Sequence, residues 1–334
     1  MATPSYCNFI SLYLSYTAVV VALYHFYFNQ PNHKTKEHNM NERIRFIFDD
    51  MPIRGLHTQL GGVWQHILQR KHYPVAIQRA LGELLAAGSL LSSNLKLDGT
   101  LIVQVQGQGV LKMLVVEATS EHTVRATARW DEHVAIADDA DLNTLLGDNS
   151  VFVLTVQPKD GEPWQGVVPL EGGSIASMLM HYMARSEQLE TYIALAADAQ
   201  HVGGLLLQRL PEEQPNPEAW QHVTALAETL TATELLNLDA QNLLYRLYHE
   251  TPPRVFEPEA LEFACTCSRG KVSDMLLMLG GQEVGAVVAE EGSITVDCDF
   301  CNEHYTFDET DVNALFGVDI VAAVQAEHAK PRVM

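Results

Sequence analysis

The chain has 334 residues, room for two domains or one large one, and its 47% apolar and 19% charged composition excludes a disordered or collagen-like protein. Its 21 basic residues against 42 acids leave a formal charge of −21, which repels phosphate backbones and argues against general nucleic-acid binding. Of five cysteines, Cys7 stands alone and the other four lie between residues 265 and 301.

From Cys7 to Gln30 there is no charged residue, and a run of that length has the reach of a bilayer-spanning helix. Lys34, Lys36, Arg43 and Arg45 follow it and would hold the rest on the cytoplasmic side. A cleaved secretory signal fits poorly, because no basic residue precedes the apolar run and no small-residue cleavage site stands out. The alternative is that residues 1–39 are an upstream translation artefact and that Met40, opening MNERIRFIFDD, is the natural start. Both readings place residues 40 onward in the cytoplasm, with membrane contact only if residues 7–30 are an anchor.

Leu56, Leu60, Val63, Trp64, Ile67 and Leu68 keep a 3.6-residue period that Val75 to Leu91 continues, which predicts helix across residues 56–96. Leu101–Gln106, Leu111–Val116, Thr123–Trp130 and Val151–Val156 are short, β-branched and separated by turn residues, and so read as strands. A helix is expected from Ser174 to about Arg185, then strands near Tyr192–Ala197 and Leu205–Leu210. Strands in succession with helices grouped beside them predict an α+β fold rather than a doubly wound one, with a mixed α/β core domain over residues 40–212.

The polar, proline-rich run from Pro211 to Pro217 reads as a boundary. Beyond it Glu218–Leu230 and Glu234–Tyr248 have helical periodicity, forming a linker over residues 213–255 that Pro252-Pro253 closes. Its leucines (Leu226, Leu230, Leu235, Leu236, Leu243, Leu244) form either a packed stripe or the apolar face of a metastable connector, covered in one state and bare in another. Residues 256–334 make a small terminal module holding the clustered cysteines.

The cluster reads Cys265-x-Cys267, thirty intervening residues, then Cys298-x-x-Cys301. In a reducing cytosol two such pairs indicate a metal rather than a disulfide framework. Four thiolates satisfy tetrahedral Zn²⁺ with no open position, so the site would be closed and structural. Leu261–Cys265 and Ile294–Cys298 are strand-like and would each deliver a pair at a turn. His304, three residues after Cys301, is a fifth candidate but is expected beside the site rather than in it; His249 and Glu250 lack the second histidine of a zinc-protease helix. A single intervening residue is shorter than the two to four of ordinary knuckles, and a disulfide across it would be strained and easily reduced again. The spacing therefore suggests a redox switch. Structural zinc contributes on the order of 10–16 kcal/mol in small zinc peptides, as much as the entire stability of a typical domain. Loss of the ion would unfold so small a module, and the thirteen acids between Glu257 and Asp311, against Arg269 and Lys271, would repel one another once it opened.

The runs Phe263–Arg269 (FACTCSR), Cys298–Tyr305 (CDFCNEHY) and Tyr245–Glu250 (YRLYHE) resemble the Hsp33 family of redox-regulated molecular chaperones. Leu101–Gln108 (LIVQVQGQ), Gly166–Gly172 (GVVPLEG) and Arg185–Leu189 (RSEQL) are similar to that family's segments in the same order, so the resemblance covers about residues 40–316 and omits residues 1–39 and Cys7. It implies an ATP-independent holdase, not an enzyme, with one Zn²⁺ per chain held by Cys265, Cys267, Cys298 and Cys301 in a reduced, inactive state. Oxidation would join Cys265–Cys267 and Cys298–Cys301, disorder the terminal module and linker, expose apolar surface to unfolding client proteins and favour a homodimer. Two rival readings are a zinc-stabilised binding module with no redox role and a thiol oxidoreductase acting through Cys298 and Cys301. No Gly-Lys-Ser/Thr phosphate loop is present, and Gly107-Gln-Gly109 reads as a turn between strands, so no nucleotide is expected.

Overall fold

A computed structural model describes residues 41–93, 98–211, 217–322 and 325. The expectations placed on residues 1–39, on the apolar run 7–30 and on Cys7 lie outside the described residues. Among the described residues no single helix is long and apolar enough to cross a membrane.

The described residues open with hairpin β1 (Asn41–Phe48) and β2 (Ile53–Leu60), then α1 (Gly61–Leu68) and α2 (Val75–Ser92). A meander of β3 (Gly99–Gln106), β4 (Leu111–Thr119) and β5 (Thr123–Trp130) follows, then α3 (Leu142–Leu146), β6 (Val151–Pro158) and β7 (Trp164–Pro169). Helix α4 (Ile175–Tyr182) ends in a π-turn over Met183–Glu187 and leads to β8 (Thr191–Ala197) and β9 (Val202–Arg209). Next come α5 (Pro217–Ala227), α6 (Ala232–Asn237), α7 (Ala240–Tyr248) and three two-residue strands, β10 (Arg254–Val255), β11 (Glu259–Ala260) and β12 (Glu262–Phe263). Then follow α8 (Arg269–Leu279), α9 (Gly281–Glu291), hairpin β13 (Ser293–Asp297) and β14 (His304–Asp308), and α10 (Glu309–Phe316).

Two six-stranded sheets sandwich α2. The first runs β10-β1-β2-β9-β8, with β11 also on β1, and the second runs β12-β5-β4-β3-β6-β7. Helix α2 is apolar nearly all round because it faces both sheets: Ala76, Ile77, Leu81, Leu84, Leu85 and Leu90 are all buried. Two glycines permit the close approach. A Cβ on Gly82 would lie 2.5 Å from the Ala197 methyl of the first sheet, and one on Gly88 would lie 2.5 Å from a Val116 methyl of the second.

The helix expected over residues 56–96 is corrected at its start, since Leu56 and Leu60 belong to β2. Four-residue spacing satisfies a period of two as well as one of 3.6, and β2 uses the former. Leu56 and Leu60 join the core around α2, while Ile53 on the opposite face joins a second core beneath α5–α7. The expected helix Glu234–Tyr248 is two helices, because Asp239 accepts a hydrogen bond from the Asn242 amide and starts α7 afresh. Strands β1 and β7 had no separate expectation.

In that second core Phe46, Phe48, Ile53, Leu205 and Leu207 of the first sheet pack against Val223, Leu235, Leu236, Leu243, Leu244, Leu247 and Tyr248. Leu226 and Leu230 are half-buried against it. The leucine stripe is therefore core, and the core is shared with the sheet. A third and much smaller cluster, of Leu276, Val284, Val288, Phe307, Val312 and Val321, lies entirely in residues 269–321.

His57 on β2 is 1% exposed, and neither ring nitrogen has a hydrogen-bond partner. Burial lowers its pKa from 6.5 to about 4, against the weaker pull of the Asp239 carboxylate. The folded chain thus excludes a proton that the unfolded chain accepts between those values. Stability attributable to this residue is unaffected above pH 6.5 and falls as pH drops toward 4. His57→Leu should shrink the loss in unfolding free energy between pH 7 and pH 4.5 by about 2 kcal/mol, read from urea midpoints at both values. An unchanged pH dependence would exclude a neutral buried His57. At Gly88, alanine gains up to about 1 kcal/mol of helix propensity but overpacks the core at a cost of about 1–3 kcal/mol, so Gly88→Ala should lower the urea midpoint. A raised midpoint would contradict this packing.

Candidate metal centre

The four cysteines reach one place by two local routes. Cys265 and Cys267 lie between β12 and α8, and Ser268 caps that helix by accepting a hydrogen bond from the Lys271 amide. Cys298 and Cys301 sit in the β13–β14 turn, which the Cys298 amide closes on the Glu303 carbonyl (2.9 Å) and the Asn302 amide closes on the Cys298 carbonyl (2.8 Å). Asn302 takes the left-handed conformation at φ 57°, as a short polar side chain tolerates. The strand expected over Leu261–Cys265 is only Glu262–Phe263, whereas that before the second pair runs Ser293–Asp297.

All four sulfurs lie within 4.8 Å of one another, and each of these four cysteines is free and half-buried. Between the pairs Cys265 Sγ lies 3.6 Å from Cys298 Sγ, and Cys267 Sγ lies 3.3 Å from Cys301 Sγ. A tetrahedron with metal–sulfur bonds of about 2.3 Å has sulfur–sulfur edges of about 3.8 Å. The residues present therefore fit a four-thiolate metal ion, and Cys265, Cys267, Cys298 and Cys301 could hold one. Among the described residues they are the one group of three or more ligating side chains so arranged. His304 is outside the group; its Nδ1 lies 2.6 Å from the Asp297 carboxylate across the hairpin. His249 stacks near Tyr245, at 5.8 Å, with no ligand group around it of this kind.

The electrostatics fit the same use. Burial pushes the Cys265 thiol up, but hydrogen bonds with Cys267, Cys301 and Cys298 together bring it down to about 7. Burial raises Cys298 and Cys301, so the second pair holds its protons. Four thiols this close cannot all ionise by themselves, and a divalent cation is what would let them. Two further side chains touch the first pair. The Tyr305 hydroxyl donates to Cys267 Sγ at 3.2 Å, and Arg125 Nη1 donates to Cys265 Sγ at 3.2 Å. Sequence reasoning missed both. Tyr305 stood inside a quoted motif without a role, and Arg125 lies 140 residues from its sulfur.

The centre is also fastened to the second sheet. Strand β12 pairs in parallel with β5, Thr127 Oγ1 donates to the Asp299 carbonyl at 2.8 Å, and Arg129 pairs with the Asp299 carboxylate. Just upstream Glu259 bridges buried Arg43 (2.6 Å) and Arg45 (2.9 Å), which hold its pKa below the usual carboxylate value despite burial. Arg43 is 3% exposed, so removing its partner would leave a buried charge unpaired. Glu259→Gln should accordingly cost about 3–5 kcal/mol, measured as a fall in unfolding free energy in urea; a loss below about 1 kcal/mol would mark the pair as a surface bridge.

The comparisons agree with this architecture. The family model described as Hsp33 protein matches residues 41–308. The 33 kDa chaperonin of Neisseria gonorrhoeae strain NCCP11945 is 71% identical over 292 residues, covering 87% of this chain and 97% of that protein. The 33 kDa chaperonin of Chromobacterium violaceum is 50% identical over 296 residues, covering 87% and 100%. The crystal structure of the 33 kDa chaperonin of Thermotoga maritima superposes with a TM-score of 0.72 at 23% identity, over 83% of this chain and 98% of that one, and so shares the fold. The extent of the family match and the identities to these relatives establish that the chain belongs to the Hsp33 family of chaperones.

Proposed function

We propose that this protein is a redox-regulated, ATP-independent holdase of the cytoplasm, inactive while reduced and metal-bound and activated by oxidation of its four clustered cysteines. The observation that carries the reading is the position of that cluster. It closes a segment, residues 254–263, whose short strands lie on both sheets, and which itself follows the helices covering the first sheet.

Cys265, Cys267, Cys298 and Cys301 would hold one Zn²⁺ as thiolates. When bound, the ion supplies cohesion on the order of 10–16 kcal/mol to a module whose own core has, among the described residues, six buried apolar side chains. Oxidation joins Cys265 to Cys267 and Cys298 to Cys301. Each pair of thiolates gives up two electrons, and with hydrogen peroxide and two protons from solvent the products are one disulfide and two waters. The sulfurs then offer no thiolate to a cation.

The consequences follow the chain. Residues 256–334 act as the redox module, residues 213–255 as the linker and residues 40–212 as the core that stays folded. Once the module opens, residues 254–263 keep two-residue pairings, the Arg254–Asp49 and Glu259 ion pairs and the burial of Leu261 as their hold on the sheets. Release of α5–α7 would bare Phe46, Phe48, Ile53, Leu205 and Leu207, an apolar face for unfolded client proteins and for a second chain in a homodimer. The protein needs neither turnover nor nucleotide for this.

Peroxide treatment of the full chain should remove four thiols and one Zn²⁺ together and confer suppression of a thermally aggregating client, both reversed by dithiothreitol. Zinc loss without suppression would leave a static metalloprotein, and disulfide turnover on insulin would favour an oxidoreductase. Cys298→Ser removes one ligand and should weaken Zn²⁺ severely, giving partial client protection without any oxidant. A variant that binds Zn²⁺ as tightly as the unaltered chain would remove Cys298 from the site.

A further inference from the structure

The four sulfurs are not supported alike. The second pair is surrounded by main-chain amides of its own turn, those of Phe300, Cys301 and Glu303. The first, more cramped pair has the Cys267 amide on Cys265 and, in addition, side-chain donors: Tyr305 on Cys267 and Arg125 on Cys265. Only the latter is cationic, and it comes from the second sheet.

Arg125 is held for that contact. Its side chain is 14% exposed, and its Nε and Nη2 both donate to Glu117 Oε2, at 2.9 and 2.5 Å. Glu117 is its partner across the β4–β5 ladder, so the fork is aimed by the sheet itself. The remaining nitrogen, Nη1, points at Cys265 Sγ, and the guanidinium lies over the Phe300 ring at 4.1 Å. Phe300 stands between Cys298 and Cys301. One side chain thus touches a sulfur of the first pair and the loop of the second. A divalent ion ringed by four thiolates carries a net double negative charge, and a half-buried dianion needs a nearby cation that water cannot fully replace.

We propose that Arg125 is the positioning residue of the four-sulfur centre, supplying the counter-charge at Cys265 and clamping the Cys298–Cys301 loop through Phe300, so that the second sheet senses whether the thiolates are present. This rests on the reading of the cluster as a metal site. In the oxidised chain Cys265 becomes a neutral disulfide sulfur, Arg125 keeps only Glu117, and the hold of β5 on the module weakens at the point where the chemistry happens.

The test is the affinity of the reduced full chain for Zn²⁺ alone, by competition with a chromophoric chelator. Arg125→Gln should weaken binding about 10–100-fold, the usual range when a group supporting a metal ligand is removed. Arg129→Gln cuts the neighbouring Asp299 bridge without touching a sulfur and should stay within about threefold of the unaltered chain, whereas Arg125→Lys keeps the charge but loses the fork on Glu117 and the plane over Phe300 and should fall between the two. Equal weakening by Arg125→Gln and Arg129→Gln would assign the effect to docking alone and overturn the proposal, as would no weakening by Arg125→Gln or a lysine variant as weak as the glutamine one. Should Arg125→Gln fail to fold, the Arg125 Nε–H resonance of the unaltered chain, assigned by its absence from Arg125→Lys, decides. It should shift and exchange more slowly with Zn²⁺ than after chelation; an identical resonance in both states would overturn the proposal. An unaltered chain that takes up no Zn²⁺ would overturn the metal reading, and this inference with it.

Discussion

The C-terminal part of this protein is fastened to the rest by a short strip of chain, and the strip is pinned at its far end by four sulfur atoms. Residues 254–263 contribute two short strands to the first sheet and one to the second, yet no pairing in the strip exceeds two residues. Such pairings are too short to hold by themselves. What keeps them in register is charge at Glu259 and the knuckles that follow Phe263. Arginines of the N-terminal strands meet acids or sulfur of the C-terminal part at each point: Arg43 and Arg45 at Glu259, Arg125 at Cys265, Arg129 at Asp299. A strongly acidic C-terminal region is thereby docked on a surface that supplies the missing positive charge.

This arrangement explains how a local change at sulfur reaches a distant apolar face. The core around α2 has large apolar residues on every side, and of the strip it takes in only Leu261, with Phe263 packed against it. The core under α5–α7 is different, because one of its walls is a set of short helices that run on C-terminally into the strip. Stability is graded along the chain, from a self-sufficient sandwich, through a shared interface, to a module whose apolar cluster is small and whose cohesion a metal ion would dominate. Buried, unpartnered His57 lies within the middle grade, beneath the helices that the proposed function releases.

Much of the site was legible in the sequence because its information is local. Two closely spaced cysteine pairs, each at the end of a strand-like run, predict one tetrahedral cluster, and the sulfurs do converge. His304 was rightly kept apart from the cluster; it pairs with Asp297 across the hairpin. The strands from Leu101 to Val156 were readable from β-branched runs between turns. Leu56 and Leu60 misled because four-residue spacing suits helix and strand equally, and only the register with β1 and β9 decides between them. The split of α6 from α7 turns on one capping bond at Asp239, which no proline or glycine announces. Arg125 was illegible for a different reason: a contact across 140 residues has no periodicity to betray it.

The most direct test of this account is hydrogen exchange by mass spectrometry on the full chain, reduced and zinc-loaded against peroxide-oxidised. The account predicts that residues 254–263 and 217–248 lose protection together with residues 265–322, while β3 to β6 keep theirs. Loss confined to residues 265–322, with the strip and the helices of the first sheet still protected, would contradict it.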